Sequence, residues 1–169
     1  MKAFTTRRIG DIARSAYGGV SAMLQGDGPG SEVMARDVAE TCDDVDEALW
    51  AVAIFTLERL DAASPRGDND SVETDELAAG LIEFAEQMAP TALSVRAAAV
   101  RLYALRSGDL DGFAAATAGL HDVATDTDLL MGALALLTAT LHHGATRRDR
   151  RPEEVCRELC TAAMLAADG

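Results

Sequence analysis

Apolar residues recur along this chain at the spacing of an α-helix, and no segment gives a firm strand alternation. Between Thr6 and Leu24, Ile9, Ile12, Ala16, Val20 and Met23 share one face. Gly18 and Gly19 weaken that helix, each by up to about 1 kcal/mol relative to alanine. "GDGPG" at 26–30 then breaks it. Ser31 is placed to cap a second helix reaching Glu40, with Val33, Met34 and Val38 inward. Neither glycine nor proline separates this helix from the next. The span 31–61 therefore reads either as one helix or as two that meet at "CDDVDE". At 48–57, "ALWAVAIFTL" holds nine apolar residues in ten, the mark of a helix surrounded by others.

A polar loop near 64–71, "SPRGDNDS", separates two helical halves of what reads as one domain over 1–169. Leu77, Leu81, Phe84 and Met88 form the next stripe, with Glu73, Glu76, Glu83 and Glu86 largely towards solvent, and Pro90 closes it. A further helix over 91–106 is stopped by Gly108, and Asp109 or Asp111 caps a short one to Leu120. The stretch 104–120 resembles one helix-turn-helix unit of an α-solenoid, without a second copy. Thr125 or Thr127 starts the most apolar helix, predicted to end at His142 and His143 before Gly144. "ATRRDRR" reads as an exposed link. Pro152 opens the last helix, with Glu153 and Glu154 at its positive end. The pattern predicts an all-α, single-domain helical bundle of seven or eight helices, centred on 44–61 and 127–143.

Composition sharpens this picture. Aromatic residues are only 4% and alanine is abundant, which suits helices packed through small side chains. A net charge of -13 repels phosphate backbones and anionic lipid, so neither nucleic acid nor membrane is an expected partner. Cys42, Cys156 and Cys160 lack disulfide-framework spacing, and the N-terminus has no apolar signal core. Both point to a cytoplasmic setting. The longest apolar run, Leu129 to Leu141, is shorter than the roughly 20 residues a membrane span needs.

The acids at 43–47 admit two readings. Asp43 or Asp44 can accept helix N–H groups, with Asp46 and Glu47 in the first turn where the macrodipole favours negative charge. Asp44 and Glu47, three apart, also approximate a capping box. Alternatively, helix-borne carboxylates at i, i+3 and i+4 can supply oxygens to a hard cation. "DDVDEALWAVA" resembles a segment of the all-α nucleoside-triphosphate pyrophosphohydrolases, which carry one acid-x-x-acid pair on each of two neighbouring helices. That resemblance implies Mg or Mn held by Asp43, Asp44 and Glu47, with Asp37 and Glu40 as the first pair. The family's two helices run antiparallel across a turn, whereas only Thr41, Cys42 and Asp43 lie between the pairs here. Glu58 and Asp61, a later pair, begin eleven residues beyond Glu47, about 16 Å along a helix.

Other candidates are sparser. Cys156 and Cys160, at i and i+4, suit an apolar face, and a zinc site there would need His142 and His143. The histidines are placed to meet carbonyls at a helix end. Arg147, Arg148, Arg150 and Arg151 could grip phosphate or acids, with "DNDSVETDE" at 68–76 as a complement within the chain. No phosphate loop, serine elbow or His-Glu-x-x-His pattern is present. The expected function is therefore a non-catalytic helical interaction or accessory module without a cofactor, pairing with itself or another protein. The alternatives are a Mg- or Mn-dependent pyrophosphohydrolase-like enzyme using Asp43, Asp44 and Glu47, and a small-molecule-binding domain with a pocket near Trp50, Phe55 and Phe84.

Overall fold

The computed structural model describes residues 5–63, 71–116 and 118–168; Ser71–Leu77 are described in backbone only. The chain is all-α: α1 (Thr6–Leu24), α2 (Gly28–Thr41), α3 (Val45–Ala63), α4 (Ser71–Glu86), α5 (Ala92–Arg106), α6 (Leu110–Ala115), α7 (Asp126–Arg147) and α8 (Pro152–Asp168). A single 3-10 turn, Leu120–Asp122, precedes α7. No strand occurs among the described residues.

The axis of the bundle is α7. Every residue from Leu129 to Leu141 is buried, and the helix packs against α1, α2, α3, α4, α5 and α8. Its start is fixed by a capping box, in which Thr125 Oγ1 accepts the Asp128 N–H (3.1 Å) and Asp128 Oδ2 accepts the Thr125 N–H (3.2 Å). By length and hydropathy alone α7 could cross a bilayer, although its unbroken apolar run is short; 78% of its most apolar window is buried within the protein, as for a core helix.

Two junctions use the same device. After α1, Gly26 adopts φ 71°, and the Gly26 and Asp27 N–H groups bond to the Met23 and Ala22 carbonyls at 3.0 and 2.9 Å. After α5, Gly108 adopts φ 73°, with Gly108 and Asp109 bonded to Leu105 and Ala104 at 3.1 and 2.9 Å. Both are Schellman closures, which need a residue tolerant of left-handed φ. The next residue, Asp27 or Asp109, at once caps the following helix through the N–H of Gly30 or Gly112. "GDGPG" is thus a stop and a start together, so α2 begins at Gly28 rather than Ser31, with Pro29 in its first turn. Ser31 is fully buried and donates to the Asp27 carbonyl (2.8 Å). Val38 faces the core as expected, but Val33, expected inward, is half exposed, and Ala35 is buried in its place.

The span 31–61 is two helices, broken at Cys42–Asp44. The last apolar helix does not stop at Gly144 but runs on to Arg147. That glycine lies where α3 crosses α7, and a Cβ there would meet the Ala63 Cβ at 3.2 Å. His142 and His143 are accordingly not in the last turn, and the helix-end role expected for them is corrected. The helix over 109–120 is also shorter than expected: α6 ends at Ala115, and Gly119 is left-handed at φ 80°.

Close approach through small residues recurs. α1 and α8 run antiparallel, Gly10 lying against the backbone of Ala166 and Ala167, where an added Cβ would sit 2.6 Å from the Ala167 nitrogen. Gly132 of α7 lets α5 approach so closely that a Cβ would fall 2.6 Å from Ser94 Oγ.

Candidate functional site

The acids at 43–47 are organised by a helix start and by an arginine from α1. Asp44 Oδ1 accepts the Glu47 N–H at 2.8 Å, and Glu47 Oε2 in return accepts the Asp43 N–H at 2.6 Å. This is a capping box whose return bond lands one residue early. Arg8 Nη2 donates to the same Glu47 oxygen at 2.6 Å and lies 3.4 Å from Asp43 Oδ1. Arg8 Nε reaches the Thr41 carbonyl at the end of α2 (3.3 Å). One guanidinium therefore ties α1 to the corner between α2 and α3. The Glu47 side chain is only 7% exposed, while Asp46 faces solvent. A divalent cation bound by Asp43, Asp44 and Glu47 would have to displace Arg8 from Glu47. Among the described residues no three His, Cys, Asp or Glu side chains are arranged to hold a metal.

The three aromatic residues expected around a pocket stand in separate ring contacts. Trp50 meets Phe113 of α6 edge-on at 4.8 Å, Phe55 meets Tyr17 of α1 at 5.9 Å, and Phe84 meets His142 of α7 at 4.9 Å. Trp50 and Phe55, five residues apart on α3, point about 140° away from each other.

On α8, Cys156 is buried and its thiol donates to the Tyr17 carbonyl at 3.2 Å; Cys160 is half-buried one turn on. Swung from that carbonyl to Cys160, the Cys156 S–H favours the Cys160 thiolate, which lowers the Cys160 pKa and raises that of Cys156. Burial, with Glu47 next, raises Cys42 to about 11. Cys160 should accordingly be the first thiol alkylated by iodoacetamide, its rate reaching half-maximum below the ordinary thiol value of about 8.5. In Cys156→Ala the midpoint should move towards the ordinary thiol value near 8.5. Peptide mass mapping across a pH series checks both.

The arginine run closes the far end of the bundle. Arg148 donates to the Ala62 carbonyl at the end of α3, Arg150 pairs with Glu158, and Arg151 pairs with Glu154. Arg148 and Arg150, with Arg59 of α3, border a cavity of about 40 Å³. The acids proposed as their complement, 68–76, lie outside the described side chains.

Sequence reasoning passed over the outer face of α5. Leu93, Val100 and Tyr103 stand 43%, 57% and 76% exposed, at spacings of seven and three that place them on one stripe. Arg96, within that stripe, is paired with Glu86 at 2.9 Å. The core-facing side holds instead Ser94, Val95, Ala97, Ala98, Arg101 and Ala104. No acid occurs anywhere in α5.

Compared with known proteins, the chain matches no family model. No curated protein and no solved structure matches it either.

Proposed function

We propose that this chain is a non-catalytic helical interaction module that pairs with a second copy of itself through the outer face of α5. The observation that carries the reading is the stripe of Leu93, Val100 and Tyr103 on a helix without a carboxylate. Two copies each bearing -13 repel one another over most of their surfaces. They meet at least cost on a helix that carries no acid, where Glu86 of α4 is paired with Arg96 and the exposed apolar groups are large. A tyrosine at the centre of a contact combines wide apolar area with few rotatable bonds. Helix faces related by a two-fold axis are self-complementary by construction. Met164 and Leu165 of α8 are as exposed, but α8 carries Glu153, Glu154, Glu158 and Asp168. The three cysteines are free thiols, consistent with a reducing, cytoplasmic setting for this role.

Light scattering across a dilution series tests the pairing. The mass of two chains at high concentration, falling towards one on dilution, is the expected result. A single-chain mass at every concentration would remove the proposal.

A further inference from the structure

Viewed down α5 from Val100, the residues Leu93, Arg96, Tyr103 and Ser107 all fall within roughly 60° of it, at 100° per residue. All five are exposed, while Ala97 and Ala104 along one edge are buried. The strip they form is about 21 Å long, with Val100 at its midpoint. Its two sides differ in chemistry. Arg96 lies about 6 Å from Val100 towards the start of the helix, and Tyr103 about 4.5 Å towards its end.

A two-fold axis through Val100, perpendicular to the helix, exchanges those sides. Two α5 helices related by it run antiparallel, which sets Tyr103 of each copy over Arg96 of the other and Leu93 beside Ser107. A planar guanidinium stacks well on a phenol ring. Arg96 also keeps its bond to Glu86 at 2.9 Å, so its charge enters the contact already balanced. The two Arg96 side chains then stand about 12 Å apart along the helices, beyond the screening length of about 8 Å at physiological salt. In a parallel pair Arg96 would face Arg96, like charge on like, with both helix dipoles aligned.

We propose that two copies meet as antiparallel α5 helices, with Val100 on the two-fold axis and two reciprocal Tyr103–Arg96 stacks. The arrangement rests on the pairing through α5 proposed for the chain.

Disulfide trapping with diamide as oxidant tests it. Helix axes 8–10 Å apart, with Cα atoms about 2.3 Å from each axis, place the two Val100 Cα atoms roughly 4–6 Å apart, within reach of a disulfide. Val100→Cys should therefore give a reducible two-chain species, with the substituted peptide linked to its own copy in mass mapping. Wild type, with Cys42, Cys156 and Cys160, supplies the background. Leu93→Cys and Ser107→Cys alone should not be trapped above it, because the two copies of each position stand about 21 Å apart. The double variant Leu93→Cys/Ser107→Cys should be, since each of its cysteines faces the other kind, and it carries the test if Val100→Cys weakens the dimer. Light scattering of the reduced proteins measures pairing separately. Dimers in which neither Val100→Cys nor the double variant is trapped, or Leu93→Cys trapped as readily as Val100→Cys, would overturn the antiparallel arrangement and leave self-association standing. A single-chain mass for wild type at every concentration would remove the pairing and the arrangement with it.

Discussion

Replacing Leu134 with alanine should destabilise the protein by about 4 kcal/mol, the cost of emptying a fully enclosed leucine site. Leu134 is 0% exposed at the middle of α7, the helix on which six others pack. For a domain of this size the unfolding midpoint should fall by about 8–16 °C. A partner variant makes the prediction specific. A Cβ at Gly19 of α1 would stand 2.9 Å from Leu134 Cδ1, so Gly19→Ala should destabilise the wild type. In the Leu134→Ala background the clash with Leu134 is gone, only the 3.3 Å approach to Met34 Cβ remains, and the methyl gains the helix propensity that glycine forfeits, worth up to about 1 kcal/mol. Gly19→Ala should therefore cost clearly less in Leu134→Ala than in the wild type. Additive effects in a double-mutant cycle would show that the α1–α7 crossing is looser than described.

The second large effect is expected at the helix corner. Arg8→Ala leaves Glu47 buried without its cation, a loss of about 3 kcal/mol. The pair is well shielded, with side-chain exposures of 15% and 7%, so solvent screening reduces the figure little. In Arg8→Met combined with Glu47→Gln the charge is removed from both sides. Much of the stability should then return, since the amide oxygen still serves the Asp43 N–H. Urea unfolding of wild type, Arg8→Met, Glu47→Gln and the double variant gives the coupling directly. If Arg8→Ala costs less than about 0.5 kcal/mol, as is usual for a surface substitution, the corner does not depend on this pair.

Both results bear on how much of the molecule was readable in its sequence. The all-α class, the central position of 127–143 and the capping role of Asp44 follow from period and local chemistry, and each has a short-range cause. The Arg8–Glu47 pair does not, because thirty-nine residues separate its members. Glycine misled at Gly144 because it has two uses. It ends helices by accepting left-handed φ, as at Gly108, and it also lets helices touch, as at Gly144. Only the neighbour across the interface distinguishes the two uses. The α5 stripe was hidden by inversion: its bulky apolar residues point outward while alanines and Arg101 point inward. Period analysis weights large side chains and so finds little amphipathic signal there. The absence of acids from "ALSVRAAAVRLYALR" was the visible clue. Trp50, Phe55 and Phe84 each have a different ring partner, and residue type alone carries no information about which.

Sedimentation velocity of wild type beside Val100→Asp, at 0.05 and 0.5 M salt (about 14 and 4 Å of screening length), most directly tests self-association through α5. Val100 is 57% exposed, so the substitution should leave the unfolding midpoint within the range of a surface change. Wild type should sediment as a dimer that tightens as salt screens the repulsion between acidic chains, and Val100→Asp should be monomeric throughout. A Val100→Asp protein that dimerises as wild type does, or a wild-type dimer that dissociates as salt rises, would contradict the account.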